Sequence, residues 1–221
     1  EAAVVAPYVA AHAAGATPNP CVECNRHLKV DRPLQRAQQL GFDAVATGHH
    51  ARIGRSPHGG YTLERGADAA KDQSYVVHML DQAALSRTLF PVGDIDKAEV
   101  RRLAAARGLR TASKPDSQDV CFITSDGGRA AFLGDRIPFR RGRVVDTAGA
   151  LVGEVDAVEM VTIGQRRGIG LPGGGPKRYV VDVDVPAATV VVGADDDLLR
   201  ERTTVTGVAW VDAPAGGAVR V

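Results

Sequence analysis

The texture of this chain changes once, near residue 125, and that change limits its fold more than any other feature. Before it, apolar residues recur at helical spacing and are interrupted by short strand-like runs. After Thr124 the helical period fades. Short β-rich runs replace it, at Arg143–Val145, Ala157–Ile163, Tyr179–Val183, Thr189–Val192 and Thr203–Val211, with Gly and Asp between them at hairpin spacing. The expected architecture is an α/β segment followed by an all-β one, with a second boundary near residue 190. There is no internal repeat.

The front part can be read in order. Residues 1–14 have a helical pattern that Gly15 ends. Pro18 and Pro20 hold Thr17–Cys21 as a rigid extended loop, and Asn25 is the expected N-cap of the next helical segment. Asp31–Leu40 places Leu34, Ala37 and Leu40 on one helix face, with Gly41 as terminator. Phe42–Ala46 reads as a buried strand running into Thr47-Gly48-His49-His50, and strand ends of this kind are where open α/β sheets hold ligands. Tyr61–Glu64 is a further strand, followed by an exposed connection over residues 65–74. Asp96–Arg107 is a helix: Asp96 and Glu99 approximate a capping box, Val100, Leu103 and Ala104 form its buried stripe, and Gly108 ends it. Gly168–Gly175 is glycine-rich but lacks the Lys-Ser/Thr and following helix of a phosphate-binding loop.

Composition narrows the class. Hydrophobic residues make up 44% of the chain and charged residues 24%, the balance of a soluble globular protein. No run approaches the roughly 18 apolar residues of a membrane helix. Three cysteines without a secretory signal favour reactive or metal-bound thiols in a reducing, cytoplasmic setting over structural disulfides. A net charge of +1 argues neither for nor against nucleic acid. Arg140-Arg141-Gly142-Arg143, Arg166-Arg167 and Lys177-Arg178 are solvated loop charge on the plainest reading. The chain starts inside a helical pattern and stops inside a strand-like one, so a fragment of a longer protein is expected.

The cysteines carry the chemistry. Cys21 and Cys24 form a C-x-x-C pair, but the second pair of a zinc site is missing, and His12, His27, His49 and His50 do not complete a diagnostic spacing. Cys121 precedes Phe122-Ile123, so a merely packed thiol is one reading. The other is a pair of thiols brought together by the fold. One then carries transferable sulfur and the second attacks the sulfur–sulfur bond to release it. His49 and His50 read either as structural histidines or as a nucleotide contact.

Six segments taken together resemble one family. They are Thr17-Pro-Asn-Pro-Cys-Val-Glu-Cys-Asn25, Ala46-Thr-Gly-His49, Lys71-Asp-Gln-Ser-Tyr75, Leu89-Phe-Pro-Val-Gly93, Asp116-Ser-Gln-Asp-Val-Cys-Phe-Ile123 and Thr162-Ile-Gly-Gln-Arg-Arg-Gly168. In this order they resemble the bacterial tRNA-specific 2-thiouridylases. The resemblance implies a Rossmann-like α/β domain of ATP-pyrophosphatase type, present in part (1–124). A small central β-rich domain (125–190) and the start of a C-terminal β-barrel (191–221) would come after it. It implies sulfur transfer to C2 of the wobble uridine of tRNA, using ATP and Mg2+. Cys121 would carry the persulfide and Cys24 would be its partner. Gly48 would contact ATP; Asn19, Pro20 and Cys21 would meet the target base, and Lys71, Asp72 and Gln73 the tRNA. Gln165 and Arg166 are expected near the tRNA or the active site. The partners implied are tRNA and a persulfide donor, either a cysteine desulfurase or a sulfur-relay protein, with no membrane and a monomeric state. Two departures matter: the family's Ser-Gly-Gly-Val-Asp-Ser-type loop has no counterpart here, and Cys21 stands where many members have Asp. The third thiol leaves open a [4Fe–4S] cluster on Cys21, Cys24 and Cys121 as sulfur carrier. A tRNA-binding fragment without catalysis is the remaining alternative.

Overall fold

A computed structural model describes residues 1–115, 120–123, 127–173 and 175–210. Among these, residues 1–20 pack with 120–204 as one compact unit, and residues 21–115 pack with 205–210 as a second.

In the second unit, one unbroken helical run carries the C-x-x-C pair. It comprises Pro20–Cys24, a π-helical stretch Asn25–Asp31, and Arg32–Gln39, with helical dihedrals at both junctions. Pro20 opens it because proline's fixed φ suits the first helical position, where its missing N–H is not needed. The extended segment therefore stops at Asn19 rather than Cys21, and Asn25 is not an N-cap but an interior, buried residue. Pro33 accounts for the wide turns just upstream. It cannot donate to the Lys29 carbonyl and its ring crowds that carbonyl, which a wider turn relieves. Gly41, with φ +75°, closes the run.

The strand after this helix is shorter than its pattern suggests. Only Val45–Ala46 is extended, paired in parallel with Thr88–Leu89, and Phe42 is exposed rather than buried. Ala51–Arg55 pairs antiparallel with Tyr61–Arg65 around a turn closed by Gly59 at φ +89°. Val30, Ala51, Val76, Val77, Leu80, Leu85 and Phe90 form the core of this unit. Helix Lys97–Ala106 is capped as expected, the Asp96 carboxylate accepting from the Glu99 N–H at 2.7 Å. Glu99 turns instead to Arg102, and the stripe Val100, Leu103 and Ala104 is only half-buried.

The first unit is built on a four-stranded sheet. Its order is Leu151–Val155, Gly142–Asp146, Thr189–Gly193, Tyr179–Asp184, with a parallel central pair and antiparallel flanks. Its core is almost all β-branched: Val144, Val155, Val158, Val161, Ile169, Val180, Val185, Val190 and Val192. Helix Val5–Ala13 ends at Gly15, φ +79°, as expected. Three expectations fail here. Residues 157–163 form a 3-10 turn, Val158–Met160, and not a strand, because the Glu159 side chain and the Val158 N–H both turn back to Arg140. Gly128–Gly134 is a helix inside the part expected to be all β. Residues 203–210 contain no strand; Val211 and the rest of 191–221 beyond residue 210 lie outside the described residues.

Candidate functional site

The site is built outward from Asn25. Its side-chain Nδ2 donates to the Val76 carbonyl at 3.1 Å, and its Oδ1 lies 3.1 Å from His49 Nε2. The amide nitrogen is committed to a carbonyl, so the oxygen must face the ring. That fixes Nε2 as the protonated ring nitrogen and leaves Nδ1 to accept from the Thr47 hydroxyl at 2.8 Å. Phe90 stands edge-on to the imidazole, 5.8 Å between centroids. Burial strips the hydration a charged ring would need, and the Lys29 charge adds to it. Together they lower the His49 pKa to about 4. His49 is a neutral, fully hydrogen-bonded ring.

This network joins two of the expected site segments. Cys24 directly precedes Asn25, and Gly48 directly precedes His49. Gly48 is exposed at the end of strand Val45–Ala46, and a Cβ added to it would meet nothing within 4 Å. A ligand can therefore approach its backbone directly.

The same turn is locked to residues 66–74. His50 N–H donates to Gln73 Oε1 at 3.1 Å, and Gln73 N–H donates to the His50 carbonyl at 2.9 Å. Asp72 Oδ1 accepts from the N–H groups of Gly66 and Ser74, and Oδ2 accepts from the Ser74 hydroxyl at 2.8 Å. Burial pushes the Asp72 carboxyl up, but these donors and the nearby Arg65 charge outweigh it and hold its pKa below the ordinary value. The polar atoms of Asp72 and Gln73 thus organise the loop, while Lys71 and Tyr75 stand exposed on it.

The three cysteines are in no disulfide. Cys21 is exposed and Cys24 half-buried, both near the start of the helical run in the second unit. Cys121 belongs to the first unit and is exposed. Its successors Phe122 and Ile123 are inserted against Tyr8 and Phe132, with the Tyr8–Phe122 rings 5.4 Å apart. The packed-thiol reading of Cys121 fails, because its neighbours take the apolar positions and leave the sulfur accessible. Asp116, Ser117, Gln118, Asp119 and Thr124 around it lie outside the described residues. Asn19 is exposed and Pro20 buried.

In the first unit, buried Glu159 receives Arg140 Nε at 2.9 Å and Arg140 N–H at 3.1 Å. The Gln165 side chain is used within its own turn, accepting from Thr162 N–H and donating to the Arg167 carbonyl. It shapes the arginine loop rather than reaching out of it.

The residues 1–125 match a family model described as the tRNA methyl transferase HUP domain, and 130–194 match the tRNA methyl transferase PRC-barrel domain. The chain is 48% identical to the tRNA-specific 2-thiouridylase MnmA of Chloroflexus aggregans over 95% of its own length and 58% of that protein. Identity to the protein of the same name from Acidothermus cellulolyticus is 49%, covering 96% and 59%; for Mycolicibacterium paratuberculosis it is 49%, covering 90% and 54%. The chain belongs to the tRNA-specific 2-thiouridylase family. It spans a little under three fifths of the length of these curated relatives. The two matched domains agree with the expected order of folds, a Rossmann-like α/β part and then a β part, although the four-stranded sheet is open and not a closed barrel. No helix among the described residues is long and apolar enough to cross a membrane.

Asn25 is the site residue that motif reading missed. The available signal was an asparagine inside a helical stretch, where its side chain competes with the backbone unless tertiary partners hold it.

Proposed function

We propose that this chain is part of an ATP-dependent enzyme that transfers sulfur to C2 of the wobble uridine of tRNA. The observation that carries the reading is the exposure of Cys121 within the cysteine segments of a 2-thiouridylase family member. The family model's description speaks of methyl transfer, whereas the relatives are named for thiolation. Accessible thiols favour the second.

In this reading the sulfur donor, a cysteine desulfurase or relay protein, loads Cys121 as a persulfide. Asn19 and Cys21 face the target base, with Pro20 fixing the start of the helix beneath them. Lys71 meets the tRNA from a loop that Asp72 and Gln73 hold. ATP, with Mg2+, lies against the Gly48 backbone; the chemistry it supplies is conversion of the uridine C2 oxygen into a leaving group. The terminal persulfide sulfur attacks C2 and displaces that group. The Cys24 thiolate then attacks Cys121 Sγ, a Cys24–Cys121 disulfide forms, and the 2-thiouridine sulfur leaves with the electron pair. A dithiol reductant resets the disulfide.

A [4Fe–4S] cluster on Cys21, Cys24 and Cys121 is the second reading, favoured only by the third thiol. Among the described residues no three His, Cys, Asp or Glu side chains gather as a metal site. The test is iron and acid-labile sulfide analysis after anaerobic purification, alongside tRNA 2-thiouridine content in cells whose protein carries Cys121→Ser. Loss of 2-thiouridine without iron supports the persulfide. Stoichiometric iron and sulfide support the cluster. Unchanged 2-thiouridine leaves the chain a tRNA-binding fragment without this catalysis.

A further inference from the structure

Four cations of the β-rich unit line one cavity of about 590 Å³: Arg166, Arg167, Lys177 and Arg178. Among the described residues no acidic side chain lines it. None of the four side chains has a hydrogen bond or ion pair among the described residues, and Arg178 Nη1 is shielded from solvent without an acceptor there. Several other arginines of the same unit are satisfied. Arg140 meets Glu159, Arg141 lies 3.4 Å from Glu154 and 3.7 Å from Asp156, and Arg200 donates to the Val181 carbonyl. Like charges gathered without a counter-charge repel, and a desolvated guanidinium N–H without an acceptor is costly. Both costs vanish when an anion enters.

The arm entering the loop is fixed. Gln165 ties the turn before them through Thr162 N–H and the Arg167 carbonyl. Ile169, 2% exposed, plugs the loop into the valine core. Gly153 and Gly170 bring the strand and loop backbones so close that neither position has room for a side chain. Arg166-Arg167 lie on the arm entering the loop and Lys177-Arg178 on the arm leaving it. A single phosphate is satisfied by one forked guanidinium, so four cations suit neighbouring phosphates along a strand.

We propose that this cavity is a phosphate-binding site for the RNA backbone, holding tRNA away from the base that reacts. The proposal rests on the tRNA reading above and adds a second point of contact to it. Such contacts position RNA without reading its sequence and make binding salt-dependent.

The test is RNA affinity over a range of salt concentrations, with the chain in its whole polypeptide. Arg166→Ala with Arg178→Ala should weaken tRNA binding about tenfold near physiological salt and lower the salt slope by about two. A short RNA duplex lacking the target uridine should lose affinity in parallel. Arg166→Lys with Arg178→Lys should restore most of the slope. Arg141→Ala, whose side chain is already paired, should stay within about twofold of the unmodified protein. Unchanged affinity of the double alanine variant for both RNAs would overturn the proposal. So would a loss confined to inorganic phosphate or ATP, which would make this a free-phosphate site. If the unmodified protein binds no tRNA even at low salt, the functional reading falls with the site; if it binds and the variant binds equally, only the site falls.

Discussion

The amide of Asn25 and the imidazole of His49 meet at 3.1 Å, both buried, between the cysteine-bearing helix and the turn that presents Gly48. One neutral hydrogen bond thereby sets the spacing between the segment proposed to release sulfur and the backbone proposed to meet ATP. Asparagine suits the position because it offers an acceptor to the ring and a donor to Val76 at once.

Asn25→Ala should therefore cost more than an average buried hydrogen bond. It leaves the His49 Nε2–H and the Val76 carbonyl unpaired, each a penalty of about 1–3 kcal/mol. A loss of about 2–3 kcal/mol in chemical denaturation is expected. Asn25→Asp should not rescue it, since a carboxylate has no N–H for Val76. A loss below about 0.5 kcal/mol would show that the network is dispensable.

His49 should make stability depend on pH with a definite sign. Its folded pKa, about 4, lies below the ordinary 6.5. The native state thus favours the neutral ring. The stabilisation is complete above the unfolded value and is lost as pH falls from about 6.5 towards 4, roughly 3 kcal/mol in all. Denaturation midpoints measured across that window should fall, and the fall should be smaller in His49→Gln. A ring proton signal from His49 titrating near 6.5 would contradict this.

Asp72→Ala should loosen residues 66–74, because three donors lose one acceptor group. Hydrogen exchange at the Gly66 and Ser74 amides should rise at least about tenfold, and tRNA affinity should fall although Lys71 is untouched. The Asp72 carboxyl has its pKa held low, so its contribution is present above the ordinary carboxylate value and fades as pH drops below it. Unaltered exchange would show that the loop is held by other means.

Much of this fold was legible because local chemistry and global structure agree. Asp96 before Lys97–Ala106 and Gly108 after it are strong end signals, and both hold. The Tyr61–Arg65 strand was readable from its alternation. Its partner Ala51–Arg55 was not, since two arginines and Gly54 obscure the period. The helix Gly128–Gly134 was hidden by glycines that normally mark turns. Asn25 was misread for a related reason: its residue type signals a cap, and only tertiary partners make it an interior residue. In the candidate site, the cysteine, Gly48 and Lys71 segments were readable as motifs. The contacts joining Asn25 to His49 and His50 to Gln73 span long sequence separations and could be seen only in the fold.

Glu159 is a buried carboxylate satisfied by Arg140, through side chain and backbone. Glu159→Ala leaves the Arg140 N–H without its acceptor and should destabilise by about 2–3 kcal/mol. Glu159→Gln keeps one acceptor oxygen and should cost about half as much. Thermal unfolding of both variants checks this, and equal losses would show that the charge and not the hydrogen bonding matters.

The central claim is that sulfur travels on Cys121 and leaves through Cys24. The most direct measurement is peptide mapping by mass under non-reducing conditions, on the whole polypeptide, after incubation with a cysteine desulfurase and cysteine and again after adding tRNA and ATP. One added sulfur on the Cys121 peptide is expected in the first step and a Cys24–Cys121 disulfide in the second. Sulfur loaded on Cys21 or Cys24 with Cys121 unmodified, or 2-thiouridine formed without that disulfide, would contradict the claim.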